Sequence, residues 1–166
     1  MKMSMYQASV PPFTRTLKAL AAILDKAQAH CEAKKIDPSV LLNFRLYPDM
    51  FNFTKQIHIA ADQAKGCVAR LAGQEPPKYE DNETSFAQLK DRIERTIAFI
   101  NGFKPEQIDG TEDKDIKLTM GSRTMEFTGI SYLQGFVTPN VYFHCATAYN
   151  ILRHNGIEIG KKDFLG

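Results

Sequence analysis

Apolar residues recur at steps of three and four along most of this chain, and that spacing constrains its fold more than any other feature. The first series on one helical face is Val10, Phe13, Leu17, Leu20, Leu24, Ala27 and Cys31. Such a series is the buried stripe of an amphipathic helix. Pro11 and Pro12 fit only the start of that helix or a kink in it, because proline lacks an amide N–H. The pattern predicts a long first helix that begins close to Val10.

A second stripe, from Met50 to Leu71, predicts a second long helix. Asp49 is placed to cap it, and Gly73 follows its last apolar position. The connection before it is rich in turn residues, and we predict one short helical turn there, at residues 40–44.

A third stripe follows the capping-box pattern at residues 85–88, in which Ser85 precedes Gln88 by three positions. It predicts a third helix that stops near Gly102. On this helix we expect Arg92 and residues 94–95 to face solvent.

The spacing changes to strict alternation between residues 114 and 129. The alternating apolar residues are Ile116, Leu118 and Met120, then Met125 and Phe127 after a turn at Gly121. This pattern predicts a small β-hairpin.

A fourth helix is predicted over residues 138–155, with Thr138 as its cap, Pro139 at its first position and Gly156 at its end. Its inner face would consist of Asn140 or Val141, then His144, Ala148 and Ile151. Four such helices predict an all-α four-helix bundle, with the hairpin between the third and fourth helices. We expect one domain over residues 1–166.

Composition excludes several classes of protein. Of the 166 residues, 43% are hydrophobic and 24% are charged, which is ordinary for a soluble chain with a packed core. The 21 basic and 19 acidic residues are mixed along the sequence, and the net charge is +2. Nucleic-acid binding normally needs a concentrated basic surface, so we expect no nucleic-acid partner.

Location is predicted from three further features. No apolar run approaches the roughly 18 residues of a membrane span, and residues 1–6 lack the apolar core of a signal peptide. Cys31, Cys67 and Cys145 contain no Cys-x-x-Cys pair and fit core positions in a reducing compartment. We therefore expect a cytoplasmic protein without a membrane partner.

Three polar side chains on the inner faces are candidate metal ligands: His58 on the second helix, and Asn140 and His144 one turn apart on the fourth. Imidazole suits zinc, nickel or iron, and an amide oxygen is a weaker third ligand. Asp62, four residues after His58, either orients its ring or forms a surface ion pair with it. The alternative for both histidines is a core position in which the ring nitrogens bind protein groups.

Several segments resemble one family of proteins. They are Ser9-Val10-Pro11-Pro12-Phe13, Leu46-Tyr47-Pro48-Asp49-Met50, Asn140 to His144, Leu152-Arg153-His154-Asn155-Gly156 and Ile159-Gly160-Lys161-Lys162-Asp163-Phe164-Leu165-Gly166. Over nearly its whole length the chain is similar to an uncharacterised bacterial family of DinB-like proteins, within the DinB/YfiT-like superfamily of metalloenzymes. The resemblance implies a DinB-like four-helix bundle with an up-up-down-down arrangement, often assembled as a dimer.

The resemblance also implies where a metal would bind. The superfamily site combines one histidine on the second helix with a His-x-x-x-His pair on the last helix. His58 and His144 match two of these histidines, whereas Asn140 stands where the first histidine of the pair is expected. Some distant members use low-molecular-weight thiols and a divalent metal in transfer or isomerisation reactions.

Two functional hypotheses follow. The first is a metal-dependent enzyme, of the thiol-dependent transferase or hydrolase type, in which His58, Asn140 and His144 form a degenerate site for zinc, nickel or iron. The second is a non-catalytic homodimer without a cofactor, which binds a small-molecule ligand in a pocket of the bundle or a protein partner.

Overall fold

The computed structural model describes residues 3–166. Its helices are α1 (Val10–Lys34), α2 (Pro38–Leu42), α3 (Phe53–Leu71), α4 (Phe86–Asn101), α5 (Pro105–Ile108), α6 (Thr138–His154) and α7 (Lys161–Leu165). The four long helices form a bundle in which α1 packs against α4 and α6, and α3 packs against the same two helices. The predicted four-helix bundle is therefore confirmed. Met1 and Lys2, the start of the segment predicted to lack a signal peptide, lie outside the described residues.

Side-chain caps explain where two of the long helices begin. The Asn52 side chain caps α3 by accepting a hydrogen bond from the Lys55 amide at 3.0 Å. The prediction of Asp49 as the cap was wrong, because Asn52 stands next to the first helical residue. Ser85 caps α4 as predicted, since its hydroxyl accepts a hydrogen bond from the Gln88 amide at 3.2 Å.

The hairpin consists of β1 (Asp115–Met120) and β2 (Arg123–Thr128), paired antiparallel across a tight turn, as predicted. A π-helical segment (Ser131–Val137) follows and continues without a break into α6. The prediction of Thr138 as a cap was therefore wrong, because the preceding residue, Val137, already has helical backbone angles.

The core follows the predicted stripes. Every residue of the first stripe is at most 2% exposed, and the three cysteines are buried, as expected. On α6, the sequence offered Asn140 or Val141 as the first residue of the inner face. Val141 is the one that occupies it, since it is fully buried. Over residues 3–166 no helix is both long and apolar enough to cross a membrane.

Arg92 differs most from expectation. The prediction that it faces solvent was wrong, because its side chain has no exposed surface. It lies three residues after Leu89 and four before Thr96, both of which are buried at 0% exposure. The bundle buries this arginine because three carboxylates surround its guanidinium, as described below.

The residues after α6 cover the bundle. Ile157 and Ile159 are buried, and the Phe164 ring of α7 packs edge-on against Tyr149 with centroids 5.9 Å apart. The Asp163 carboxylate forms an ion pair with Lys26 of α1 at 2.6 Å. These contacts place α7 against α1 and against Tyr149 of α6.

Candidate functional site

His144 lies on the inner face of α6 and contacts α3 through Gln56. Its Nδ1 is 2.6 Å from the Gln56 Oε1, and the Gln56 amide nitrogen donates to the Phe51 carbonyl at 2.9 Å. Because the second bond turns the amide oxygen toward the ring, Nδ1 carries the proton and donates it. Burial lowers the pKa of His144, so the neutral ring is favoured at pH 7.

Asn140, one turn before His144, is half-buried. Its amide nitrogen donates to the carbonyl of Phe136 at 2.7 Å, within the continuous helix formed by the π-helical segment and α6. The Asn140 Oδ1 and the His144 Nε2 accept no hydrogen bond from any residue in the range 3–166. These two acceptors are therefore free on one side of α6.

His58 is 3% exposed and lies on a different side of α3 from Gln56. Residues two positions apart in a helix point in directions about 200° apart around its axis. Its Nε2 is 2.9 Å from Glu83 Oε2 and its Nδ1 is 3.4 Å from Asp81 Oδ1. Neither contact has the geometry of a hydrogen bond. Burial lowers the pKa of His58, and the Arg92 charge adds to this effect, while Asp81 and Glu83 oppose it.

Arg92 is the centre of the charges around His58. Its guanidinium lies 3.0 Å from Asp81 and 3.1 Å from both Asp62 and Glu83, and it donates to the Glu80 carbonyl at 3.1 Å. Burial disfavours its charge, but the Glu83 hydrogen bond and the three carboxylates outweigh burial and raise the pKa of Arg92. We call the following residues the α3–α4 cluster: His58, Asp62, Lys65, Asp81, Glu83 and Arg92.

Lys65 is the second buried cation of this cluster. Its Nζ is 3.0 Å from Asp62 and 3.6 Å from the centre of the Tyr79 ring. Burial lowers the pKa of Lys65, and Asp62 opposes that shift. Asp62 thus pairs with Lys65 and Arg92, so both predicted roles for Asp62 beside His58 were wrong. Two cations attract the carboxylate more strongly than a neutral imidazole does.

The predicted metal ligands do not form a common set. His58 faces the α3–α4 cluster, whereas Asn140 and His144 belong to the contact between α3 and α6. In the part of the chain that the structure describes, no group of three or more His, Cys, Asp or Glu side chains is arranged to hold a metal ion. Asn140 is outside that set of residue types, and the metal site at His58, Asn140 and His144 stays a prediction.

A groove of about 740 Å³ lies between α1 and α7. Its lining includes the small residues Ala19 and Ala22, and three cations: Arg15 and Lys18 from α1, and Lys162 from α7. We call it the α1–α7 groove. The short alanine side chains leave the space between the two helices open.

The charges in the lining of the α1–α7 groove are mostly positive. Within residues 3–166, Arg15, Lys18 and Lys162 take part in no ion pair. The acid in the lining, Asp163, is bound already by Lys26 at 2.6 Å and by the Gly160 amide at 2.8 Å. These two hydrogen bonds lower the pKa of Asp163. Among its side chains, the groove therefore has three cations without an ion pair in residues 3–166 and an acid whose charge is compensated. Gly166 also lines the groove, and its backbone lies beside Arg15 and Ala19.

Sequence reasoning missed Gln56 and Arg92, although a signal for both was present. Gln56 falls three residues after Phe53 and four before Ala60, which are both fully buried. Arg92 has the same relation to Leu89. A polar residue at apolar spacing predicts a buried polar contact, and that signal would have found both side chains.

The fold and the contacts of the site define a helical bundle of the DinB class, and comparison with known proteins agrees. A crystal structure of a DinB family member protein from Shewanella denitrificans, at 1.83 Å resolution, is similar with a TM-score of 0.87 and 43% sequence identity, over 97% of this chain and 91% of that chain. A family model described as a domain of unknown function (DUF1993) matches residues 5–165. The chain belongs to the DUF1993 family. No curated protein matches it.

Proposed function

We propose that this protein binds a small organic molecule in the α1–α7 groove, and that His58 and His144 stabilise the bundle. The observation that carries the proposal is the groove, whose volume of about 740 Å³ lies within the roughly 300–1,000 Å³ of small-molecule sites. This is the ligand-binding form of the second functional hypothesis. Assembly as a homodimer remains a prediction.

The placement of His58 supports binding over metal-dependent catalysis. His144 and Asn140 keep free acceptor atoms beside each other, but His58 lies between two carboxylates on another side of α3. For His58 to join the other two residues at one ion, it would have to leave the α3–α4 cluster. Rearranging a cluster of buried charges costs several kcal/mol, about 3–5 where a charge loses its partner.

The cysteines offer no nucleophile for catalysis. Cys31, Cys67 and Cys145 are buried, and burial raises the pKa of all three thiols, that of Cys145 to about 12. A thiol is nucleophilic as the thiolate, so these side chains are inert at pH 7.

Elemental analysis tests the second half of the proposal, the structural role of His58 and His144. Protein purified without chelator or affinity-tag metal is analysed for zinc, nickel and iron, and its melting temperature is measured with and without chelator. We expect far less than one equivalent of metal and no change in melting temperature. About one equivalent that disappears in His144→Ala would contradict the proposal, since a ligand of the native state stabilises it.

Fluorescence titration with N-phenyl-1-naphthylamine, a neutral probe that brightens in apolar sites, tests the first half, binding in the groove. We expect saturable binding at one site, and its loss in Ala22→Phe, where the added ring fills the groove. Ala29→Phe is the matched control, because Ala29 is also an exposed residue of α1 but lies outside the lining. Equal binding by the two variants would contradict the proposed site.

A further inference from the structure

We infer that the ligand of the α1–α7 groove is an amphipathic organic anion, a free small molecule with an apolar body and a carboxylate, sulfonate or phosphate group. The inference rests on the proposed function, since it names the ligand class of the same groove. It depends on the charges and on the small residues of the lining.

Cations reach the groove from two separate elements. Arg15 and Lys18 are three residues apart, so they lie on one face of α1, and Lys162 belongs to α7. None of the three has an ion-pair partner among residues 3–166. An anion bound between α1 and α7 is therefore attracted from both sides, and a guanidinium such as that of Arg15 binds carboxylate or phosphate through paired N–H groups.

The acidic and polar neighbours do not neutralise these cations. Asp163 is bound by Lys26 and by the Gly160 amide. Thr14 and Asn101 also line the groove, and the Thr14 hydroxyl donates to the Asn101 side chain at 3.3 Å. Polar groups that bind each other leave the positive charge of the lining uncompensated, so the charge complements an anion.

The remaining lining suits an apolar body. Ala19 and Ala22 present methyl groups from α1, and Val10 and Pro11 extend this surface toward the start of the helix. A ligand with charge alone would leave this apolar surface in water, whereas an amphipathic ligand covers it and gains about 25 cal/mol for each Å² buried. The groove therefore favours a molecule that has both parts.

Two probes with the same aromatic body separate the contributions of charge and shape. The anionic probe is 8-anilino-1-naphthalenesulfonate, and the neutral one is N-phenyl-1-naphthylamine, which lacks the sulfonate. We expect the full chain to bind the anionic probe about tenfold more tightly, as two or three exposed cations provide. Salt should weaken binding of the anionic probe and leave the neutral probe unchanged.

Substitutions assign that difference to the groove. Arg15→Gln combined with Lys18→Gln should remove most of the tenfold advantage and leave the affinity for the neutral probe within twofold. Lys162→Gln should weaken the anionic probe about threefold. Lys161→Gln is its matched control, because Lys161 carries the same charge on the same helix but lies outside the lining.

The outcomes separate this inference from the proposed function. The anion class is wrong if both probes bind equally and the glutamine variants bind the anionic probe like the unmodified chain. The proposed site still stands in that case, provided that Ala22→Phe blocks both probes. If Ala22→Phe blocks neither probe, both proposals are wrong.

A second copy of this chain is the competing occupant of the groove, and the mass in solution tests it. Sedimentation equilibrium is measured for the unmodified chain and for Ala22→Phe. We expect the same mass for both, because a small molecule fills the groove. A dimer that dissociates in Ala22→Phe and binds the probes only after dissociation would overturn the inference.

Discussion

Among single residues, Arg92 contributes most to the position of the connection between α3 and α4. Its buried guanidinium binds Asp81 and Glu83 of that connection and Asp62 of α3. The Glu83 side chain is itself 5% exposed, so Arg92 is the cationic partner of a buried carboxylate. Removing the guanidinium would leave that charge in a region of low dielectric constant.

Replacing Arg92 by methionine should lower the free energy of unfolding by about 3–5 kcal/mol, because an unpaired buried carboxylate remains. Adding Glu83→Gln should restore a large part of that loss, since it removes the stranded charge. Urea unfolding of the single and double variants measures both effects.

Arg95→Met is the matched control for Arg92→Met. The Arg95 side chain is 50% exposed and pairs with Asp91 one turn away at 2.8 Å, so its loss should cost less than about 0.5 kcal/mol. Equal losses for the two arginines, or no recovery from Glu83→Gln, would show that the α3–α4 cluster does not depend on Arg92.

The two buried histidines should make the protein less stable in mild acid. Burial is the largest cause that lowers the pKa of both His58 and His144, and at His58 the charge of Arg92 adds to it. The unfolded chain therefore binds protons at a higher pH than the folded one, and stability rises with pH in that window. The contribution of the two neutral histidines to stability is complete above pH 6.5, the ordinary pKa of histidine, and is lost as the pH falls through their lowered pKa values.

Urea unfolding between about pH 7.5 and 5.5 measures this dependence. His144→Gln should reduce the slope of stability against pH, because one of the two groups no longer titrates. Asn140→Ala, which removes a hydrogen bond one turn away without removing a titrating group, should leave the slope as it is. A steeper or identical slope in His144→Gln would show either that the pKa of His144 is not lowered by folding or that another group causes the pH dependence.

Among the elements, the junction between the hairpin and the π-helical segment brings two stretches of backbone into close contact. The Ile130 amide donates to the Glu112 carbonyl at 2.8 Å, and a side chain at Gly129 would overlap the carbonyl oxygen of Thr111. Nearby, the rings of Phe127 and Phe136 are 5.3 Å apart. Gly129 therefore permits the close approach on which the position of the following helix depends.

Gly129→Ala should destabilise the protein by about 1–3 kcal/mol, because an added methyl group must displace backbone. Gly135→Ala is the matched control within the π-helical segment, where an added methyl group meets no atom within 4 Å. It should be neutral or stabilising by about 0.5 kcal/mol. Thermal unfolding measures both, and equal melting temperatures would contradict the account of this junction.

The elements were predicted from the sequence where their signal is local. The Ser85 cap was predicted because a cap and the amide that donates to it lie three residues apart, and the hairpin was predicted because its apolar residues alternate. The π-helical segment was not found, because it depends on aromatic rings that meet from β2 and from the segment itself. Thr138 was predicted as a cap because Thr followed by Pro is typical of a helix start, whereas Val137 before it already has helical backbone angles.

In the whole molecule, α7 closes one side of the α1–α7 groove. Ending the chain after Ile159 would remove the Phe164 contact with Tyr149 and the Asp163 ion pair with Lys26. We expect the free energy of unfolding to fall by about 1–2 kcal/mol and probe binding to be lost. Leu165→Ala is the control. Leu165 is 51% exposed, so this substitution should change neither the free energy of unfolding nor probe binding. Unchanged probe binding in the shortened chain would show that α7 does not form part of the site.

The candidate site was harder to predict than the fold. His58 and His144 were correctly placed near the inside of the bundle, because helical spacing fixes the face on which a residue lies. Their partners were not predicted, since Gln56 and Glu83 come from distant turns whose positions depend on the assembled bundle. The groove was not predicted because its lining combines Arg15 with Lys162 from the other end of the chain, and no local sequence pattern indicates that these residues lie near each other.

The most direct test of the binding site is a backbone nuclear magnetic resonance titration of the ¹⁵N-labelled protein with N-phenyl-1-naphthylamine. The account predicts that amide shifts change along residues 14–22 of α1 and residues 161–166 around α7. Changes concentrated at Gln56 and residues 140–144 would instead place the ligand between α3 and α6, beside His144, and would contradict the central claim.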